Sequence, residues 1–273
     1  MGSDGRADGG NDDGRAFPVP DDATLRSARL TVATFRPADE RTARAVELLD
    51  ALGATAVPDP MLAVEPTGAT PADAAFVVFT SRTGAELVAE AGWAPDDATV
   101  CAIGPRTATA LREAGYGVDL VAEEYSSAGL VTALDGRVEG ARVEVARSDH
   151  GSAVLLDGLR EAGADVHETV LYRLVRPEGA GESAELSADG RLDAACFTSS
   201  LTVEHFLSAA DDRGVREAAV EGLGDATVGA IGAPTRRTAE ERGLPVDVVP
   251  DEATFEALAT AVVERAAPSH RGE

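Results

Sequence analysis

One stretch of this chain occurs twice. Cys101 to Leu111 reads CAIGPRTATAL, an apolar run that turns through Gly104 and Pro105 into a helical pattern. The matching positions, all 128 residues apart, are DATV at 97–100 and 225–228, AIG at 102–104 and 230–232, Thr107 and Thr235, and Gly115 and Gly243. FTS at 79–81 recurs at 197–199, with an offset of 118. A register shared over about 40 residues indicates an internal duplication.

Each copy predicts a strand, a tight turn and a helix. Pro105 suits the first turn of a helix, where a missing amide hydrogen costs nothing. Gly115 and Gly243 suit helix ends at which φ becomes positive. The free amide hydrogens at such a helix start form an uncharged anion site. For either copy alone, the alternative that Gly-Pro-x-Thr merely caps a helix stays open.

The charge balance excludes whole classes of partner. The 273 residues include 48 acidic and 24 basic side chains, a net charge of −24, and every basic residue is arginine. Such a surface repels nucleic acid and anionic membranes, so we expect neither as a partner. A lysine-free, acidic composition is typical of halophilic proteins in a salt-rich cytoplasm. No apolar run reaches the ~18–20 residues that span a bilayer, and we expect a cytoplasmic protein.

Cysteine and histidine usage predicts neither a disulfide framework nor a metal site. Cys101 and Cys196 each lie in an apolar, strand-like run, which favours a role in core packing. The four histidines share no metal-ligand spacing, so we expect no metal and no other cofactor.

The remaining pattern predicts an α/β protein with parallel sheets. Residues 1–26 are rich in Gly and Asp and are expected to be a disordered acidic tail. Two repeats, 28–134 and 141–262, then each read strand, helix, extended segment, strand, helix, strand, helix, strand, helix. The extended, proline-bounded segments 57–66 and 170–177 are interpreted as paired connectors between domains.

Ligands of parallel sheets bind where strands end and helices begin. Ser126 and Thr254 are expected to cap helices at such positions. The candidate binding residues there are Thr80, Ser81, Gly104, Thr107, Thr198, Ser199, Ser200, Gly232 and Thr235.

These features together resemble the uroporphyrinogen-III synthase family. The resemblance covers residues 29–265 and rests on the two FTS-helix motifs, the two IGxxT-helix motifs, the Leu-Tyr-Arg segment around Tyr172 and the Arg-Pro pair at 36–37. No single motif is specific, but their order and spacing are.

The resemblance implies two flavodoxin-like domains joined by a two-stranded β connector. It also implies that the chain crosses over between them, which the duplication alone does not indicate. The implied divisions are domain one at 27–56 plus 177–265, domain two at 66–169, connectors at 57–65 and 170–176, and a C-terminal tail at 266–273.

The resemblance further implies the reaction. Family members cyclise the linear tetrapyrrole hydroxymethylbilane to uroporphyrinogen III, with loss of water, inversion of ring D and no cofactor, on the route to heme, siroheme and cobalamin. The implied course runs through an azafulvene and a spirocyclic pyrrolenine. Hydroxymethylbilane is then the substrate, hydroxymethylbilane synthase is a candidate pathway neighbour, and a monomer is expected.

The family resemblance also suggests residue roles. Tyr172 matches the connector tyrosine that acts near the leaving hydroxyl, so it is the candidate catalytic residue; the alternative is a tyrosine that only packs in the connector. Arg36 and Arg147 end strands and are candidates for binding substrate carboxylates. Many family members have Arg-Gly-Asp-x-Gly-Arg after the strand at 141–147, but residues 147–152 here read RSDHGS. The second basic side chain is therefore missing, unless His150 replaces it.

A rival interpretation belongs to another class. A non-enzymatic, two-domain protein that closes a hinge on a small polyanion would show the same duplication and paired connectors. Only the product formed from hydroxymethylbilane distinguishes the two.

Overall fold

The computed structural model describes residues 29–37 and 39–270. The strands are β1 (Thr31–Thr34), β2 (Thr55–Pro58), β3 (Ala63–Pro66), β4 (Phe76–Phe79), β5 (Thr99–Ala102), β6 (Leu120–Val121), β7 (Arg142–Ser148), β8 (Asp165–Val175), β9 (Ala194–Phe197) and β10 (Thr227–Ala230). The helices are α1 (Glu40–Ala51), α2 (Arg82–Glu90), α3 (Pro105–Glu113), α4 (Ser127–Leu134), α5 (Ala153–Glu161), α6 (Glu182–Ala188), α7 (Ser200–Asp212), α8 (Arg216–Asp225), α9 (Ala233–Glu241) and α10 (Phe255–His270). The predicted acidic tail at 1–26 lies outside the described residues, and α10 takes up residues 266–270 of the predicted C-terminal tail.

The first sheet has four parallel strands in the order β10-β9-β1-β2. Strand β1 is therefore interior, with Val32 opposite Ala194 of β9 and Ala56 of β2. A single parallel bridge from Gly229 to Val248 adds a further extended segment beside β10. We call this sheet and its helices the first lobe.

The second sheet has six strands in the order β3-β8-β7-β4-β5-β6, and only β3 is antiparallel. Its parallel strands lie in the order β8-β7-β4-β5-β6, so the chain starts in the middle at β4, runs to one edge at β6 and crosses back to β7 on the other side of β4. In the first sheet the chain starts at β1, adds β2 at one edge and crosses over to β9 on the other side of β1. Both are orders of doubly wound sheets. We call this sheet and its helices the second lobe.

Each lobe has its own core on both faces of its sheet. In the first lobe, the rings of Phe35 and Phe197 stack with centroids 4.5 Å apart. In the second lobe, Phe79 meets Trp93 edge-on at 5.5 Å. Because both faces of each parallel sheet are covered, the strands are almost continuously apolar, as in FVVF of β4.

Strand β8 extends past the end of β7 and forms an antiparallel ladder with β3, the edge strand of the second sheet. Arg147 of β7 pairs with Val170, but Ser148 pairs with Tyr172, so the register shifts by a bulge at the end of β7. Beyond this point, β8 pairs only with β3, from Arg173 opposite Glu65 to Val175 opposite Ala63. The second segment interpreted as a connector therefore begins inside the sheet. The reason is that β8 has 11 residues and extends past its neighbour β7, which has 7.

Two helices, α6 and α8, were absent from the predicted pattern. Helix α6 buries Ser183, Ala184 and Ser187, and α8 buries Ala219 and Leu223. Faces made of small residues give little hydrophobic periodicity, so the sequence signal is weak. The same small residues let the two helices pack closely. The fourth strand of each repeat was overpredicted, because β6 has two residues and its counterpart makes only the bridge at Val248.

One buried carboxylate joins the two chain segments at the first lobe. Asp59 follows β2 and is only 3% exposed. It accepts hydrogen bonds from the amides of Gly181 at 2.8 Å and Ser183 at 2.9 Å, and from the Ser183 hydroxyl. Because Gly181 and Ser183 begin α6, Asp59 caps a helix that lies 122 residues further along the chain.

No helix within 29–37 and 39–270 is both long enough and apolar enough to cross a membrane.

Candidate functional site

The strand directions decide which edge of each lobe adjoins the ladder. Strand β2 leaves the first sheet at Pro58, its carboxyl end, and β8 extends into the ladder with β3 at its own carboxyl end. All other strands of each sheet, apart from β3, run parallel to these. The carboxyl edge of each sheet is therefore the edge from which the chain enters the ladder. We call these edges, with their loops and the first turns of the helices that follow, the rims. The candidate residues lie in these loops and first turns, except Arg147 and Tyr172, which lie near the carboxyl ends of β7 and β8.

Helices α3 and α9 are the two rim helices that begin at glycine without a side-chain cap. Their N-caps are Gly104 and Gly232, and each has proline in its first turn. The first amides of a helix have no partner within the helix, so those after both glycines can bind a ligand. Thr107 and Thr235 lie in these first turns and are each 4% exposed. Neither threonine hydroxyl makes a hydrogen bond within the described residues.

Most other helices at the rims have side-chain caps. Ser81 accepts the amide of Gly84 at 3.0 Å, and Ser199 forms a capping box with Thr202. Ser126, as predicted, caps α4 through Gly129. These caps occupy the amides that α3 and α9 leave open.

Two further candidate residues, Thr198 and Ser200, have local hydrogen-bond partners, and the Thr80 side chain has none among the described residues. The hydroxyl of Thr198 donates to the carbonyl of Phe35 at 2.9 Å. That of Ser200 donates to the carbonyl of Pro234 at 3.2 Å, which links the starts of α7 and α9. Thr80 is half-buried after β4 and makes no hydrogen bond from its side chain within the described residues. These contacts hold the first-lobe loops together as one surface.

Tyr172 is buried and its hydroxyl reaches the rim. The residue is 6% exposed, and its ring belongs to the core between the second sheet, α2 and α3. Its hydroxyl donates to Ser81 Oγ at 3.0 Å, and this oxygen also accepts the amide of Gly84. Since Ser81 Oγ accepts two hydrogen bonds, its own hydrogen is free to donate elsewhere.

Arg147 is tied into the second lobe. It is 5% exposed, its Nε lies 2.6 Å from Glu168 Oε1, and its Nη1 donates to the carbonyl of Ser152 at 2.6 Å. Gly151 lies against the guanidinium, since a Cβ at 151 would come within 2.4 Å of Arg147 Nη1. Arg147, which was predicted to bind a substrate carboxylate, therefore holds the 148–152 loop in this structure.

Arg36 has an unsatisfied donor at the rim of the first lobe. Its guanidinium carbon lies 4.7 Å from the centre of the Phe255 ring, and its Nε is buried without a hydrogen-bond partner. Burial lowers the pKa of Arg36, and the nearby charge of Arg41 lowers it further. A half-buried cation with a buried, open donor favours a carboxylate ligand.

The loop that departs from the family pattern contains an ordered acid. Asp149 Oδ1 accepts the amide of Leu174 at 3.1 Å and lies 2.8 Å from His150 Nδ1. Burial raises the pKa of Asp149, but the hydrogen bonds from His150 and from the Leu174 amide outweigh it, so that the pKa is lowered overall. Asp149 thus fastens the ladder where β8 passes the end of β7, and His150 is exposed beside it.

The structure brings the candidate residues together in two sets, one on each rim. Tyr172, Ser81, Gly104 and Thr107 belong to the second lobe, and the Thr198–Ser200 loop belongs to the first lobe with Arg36, Gly232 and Thr235. Within the described residues, no side-chain hydrogen bond or ion pair joins one set to the other.

The cysteines pack in the sheets, as predicted. Both are buried, and burial raises the pKa of each thiol to about 12. Neither thiol is therefore a nucleophile at neutral pH. Residues 29–37 and 39–270 contain no group of three or more His, Cys, Asp or Glu side chains placed to hold a metal ion.

Comparison with known proteins identifies the family. A protein-family sequence model described as uroporphyrinogen-III synthase HemD matches residues 43–260 of this chain. A Methanothermobacter thermautotrophicus protein, named as a candidate uroporphyrinogen-III synthase, is 36% identical over 248 residues, which cover 85% of this chain and 96% of the relative.

The chain belongs to the uroporphyrinogen-III synthase family.

Solved structures agree at the level of the fold. Uroporphyrinogen III synthase from Thermus thermophilus, in a mutant form, has a TM-score of 0.63 at 23% identity, over 88% of this chain and 99% of that one. The Helicobacter pylori enzyme has a TM-score of 0.56 at 17% identity, over 87% and 99%. The two-domain α/β fold of uroporphyrinogen-III synthases is thus the fold of this chain.

Sequence reasoning missed two contacts in this member of the family. Tyr172 and Ser81 were both candidates, but nothing in the sequence links residues 91 positions apart. Phe255 was not singled out, although it provides the surface on which Arg36 lies. Its signal was its place directly after Thr254, a predicted helix cap at the same rim.

Proposed function

We propose that this protein is a uroporphyrinogen-III synthase, a lyase that cyclises hydroxymethylbilane with loss of water and inversion of ring D. The family match over residues 43–260 carries the assignment. The rim geometry agrees with it, because two uncapped helix starts offer uncharged donors to a ligand rich in carboxylates. The alternative of a non-enzymatic hinge protein has no comparable support.

The deciding experiment supplies purified protein with freshly made hydroxymethylbilane. Uroporphyrinogen III as the main product would establish the synthase. Uroporphyrinogen I, formed by spontaneous closure, would instead favour a binding protein and contradict the assignment. Because the two isomers have the same mass, they are separated by chromatography after oxidation to the porphyrins.

The domain division accompanies this assignment. We infer that an internal duplication produced the two lobes, with domain one at 27–56 plus 177–265 and domain two at 66–169. The equivalent places of β1 and β7, of β2 and β8, and of β9 and β4 in the two sheets support the inference. Segments 57–65 and 170–176 act as connectors, and the ladder of β3 and β8 is the joint about which the lobes close on the substrate.

The substrate carboxylates bind to local donors. The protein has a net charge of −24, so long-range attraction cannot collect a polyanion. The first-turn amides of α3 and α9 provide positive ends of dipoles, worth about 0.3–1 kcal/mol each when exposed and more when partly buried. Arg36 contributes the charged donor of the first lobe through its unpartnered Nε. Arg147 contributes by holding the 148–152 loop at the rim of the second lobe.

Replacing both Thr107 and Thr235 by valine is expected to raise KM about 30-fold, because each of two hydroxyls without protein partners loses a hydrogen bond to the substrate worth about 1 kcal/mol. Valine keeps the volume of the buried side chain, so the melting temperature should change little. The measurement is initial-rate kinetics with hydroxymethylbilane. Thr132→Val is the matched control, since that hydroxyl only bonds the carbonyl of Ala128 on its own helix. A wild-type KM in the double variant would remove both hydroxyls from the site.

The chemistry starts with departure of the terminal hydroxyl. The pyrrole nitrogen pushes its electron pair into the ring, the C–OH bond breaks, and the hydroxyl leaves as water once it gains a proton. We propose that Ser81 donates the hydrogen bond to this hydroxyl and that Tyr172 acts through Ser81, because Tyr172 already donates to Ser81 Oγ. Water takes up the pyrrole N–H proton as the azafulvene forms, and a proton from water reaches the departing hydroxyl, so one water molecule is lost and neither Ser81 nor Tyr172 changes its protonation state.

Salt is expected to lower KM severalfold between about 0.1 and 1 M, because the screening length falls from about 10 to about 3 Å and the protein repels its substrate less. This trend would support the halophilic character that we infer from the composition. The measurement is KM against KCl concentration at constant pH. A KM that rises steadily with salt would instead indicate a positively charged site. The cytoplasmic location and the monomeric state remain predictions.

A further inference from the structure

One aromatic side chain at the rim of the second lobe is exposed to solvent over most of its surface. Tyr125 is 68% exposed, whereas every other aromatic residue among those described is buried or half-buried. A single exposed apolar residue is ordinary. The position of Tyr125 is unusual, because the residue lies directly beside the uncapped start of α3.

The ring of Tyr125 covers Gly104. A Cβ at residue 104 would meet Cβ and Cγ of Tyr125 at 3.2 Å and Cδ1 at 3.3 Å. The backbone of Gly104 has a φ of −172°, which any residue can adopt. The glycine therefore permits the close approach of the tyrosine, and the backbone conformation does not depend on it.

The backbone of Tyr125 is held on both sides. The amide of Ser126 donates to the carbonyl of Glu124 at 2.7 Å, and Ser126 Oγ caps α4 at Gly129. Gly129 lies so close to this turn that a Cβ there would be 2.0 Å from the Glu124 carbonyl oxygen. Because the backbone of this turn is already fixed, a ligand that binds to the exposed ring orders no loop.

The first lobe lacks this feature at the equivalent place. The offset of 128 residues that relates Gly104 to Gly232 relates Tyr125 to Ala253. A Cβ at Gly232 would have only Pro234 Cδ nearby, at 3.9 Å. One helix start therefore has an aromatic wall and the other is open.

We propose that Tyr125 is a substrate-positioning residue whose ring receives one pyrrole ring of the linear tetrapyrrole while a carboxylate of that ring binds the first-turn amides of α3. The proposal rests on the proposed function. Aromatic rings stack on flat, electron-rich heterocycles with little dependence on hydrogen bonding, so the ring and not the hydroxyl makes the contact. Since only the second lobe has such a wall, Tyr125 also distinguishes between the two ways in which a linear tetrapyrrole could lie across the rims.

The test compares Tyr125→Leu with Tyr125→Phe. We expect KM to rise about tenfold in Tyr125→Leu with kcat within about twofold of wild type, because a contact made equally in the ground state and the transition state changes KM alone. Tyr125→Phe keeps the ring and should stay within about twofold of wild type in both constants. A second measurement is the rise in melting temperature produced by uroporphyrinogen III, which should shrink in Tyr125→Leu and persist in Tyr125→Phe.

The outcomes separate this inference from the proposed function. If the wild-type protein makes no uroporphyrinogen III, the function fails. If the wild type makes it and Tyr125→Leu has a wild-type KM, or if Tyr125→Phe loses as much affinity as Tyr125→Leu, the positioning role fails alone. A lowered melting temperature of Tyr125→Leu without ligand, together with an unchanged KM, would mean that the ring is only structural.

Discussion

Asp59→Ala is expected to lower the free energy of unfolding by about 3–5 kcal/mol, because it leaves three buried donors without an acceptor. These are the amides of Gly181 and Ser183 and the hydroxyl of Ser183. The loss should appear in the first lobe, where Asp59 joins the end of β2 to the start of α6. Denaturant unfolding followed by circular dichroism would show an earlier transition.

The single tryptophan allows the two lobes to be followed separately. Trp93 packs on Phe79 in the second lobe, so its fluorescence reports on that lobe. We expect its transition in Asp59→Ala to stay near that of the wild type if the lobes unfold independently. Asp50→Ala is the matched control, since Asp50 is an exposed partner of Arg29 and should cost less than about 1 kcal/mol. Equal losses in the two variants would contradict the role given to Asp59.

Tyr172→Phe and Ser81→Ala are each expected to lower kcat about tenfold, and the double variant should be hardly slower than either single variant. The reason is that the two hydroxyls act in series on one departing group, so removing either one interrupts the same hydrogen bond to the substrate. Loss of activity should be incomplete, because the electron-rich pyrrole expels its hydroxyl with modest help. The measurement is kcat for uroporphyrinogen III formation in all four proteins.

A tyrosine in the same lobe provides the control. The Tyr116 hydroxyl donates to the carbonyl of Trp93 at 2.8 Å, at the opposite edge of the sheet from the rim. Tyr116→Phe should therefore leave kcat within about twofold of wild type. If Tyr172→Phe and Ser81→Ala slow the reaction by factors that multiply in the double variant, the two hydroxyls act independently and the serial arrangement is wrong.

Local features of the chain were predictable because they depend on neighbours in sequence. Ser126 caps α4, Pro105 begins α3, and Gly115 and Gly243 have φ values of 91° and 84° where their helices end. These outcomes follow from single-residue preferences that hold in almost any fold. The burial of Cys101 and Cys196 followed equally from the apolar strands that contain them.

The site was less predictable, because its geometry depends on residues far apart in the chain. Arg147 lies one residue before the end of β7 and not at its end as predicted, and its charge is paired with Glu168 of the next strand. The register shift at Ser148, which lets β8 extend into the ladder, has no signal in either strand alone. Sequence spacing gives the rim to which a side chain belongs but not the atoms that it meets there.

The amino-acid sequence by itself determined the alternation of strands and helices, the repeat of the Gly-x-x-Thr corner and the family, because periodicity, caps and motif order are local properties. Only the tertiary structure decided that β1 lies between β9 and β2, that Tyr172 donates to Ser81, and that the Tyr125 ring covers Gly104. Strand order and side-chain contact come from packing between segments that are distant in the chain. The free energy of that packing belongs to the whole fold, so no local pattern encodes it.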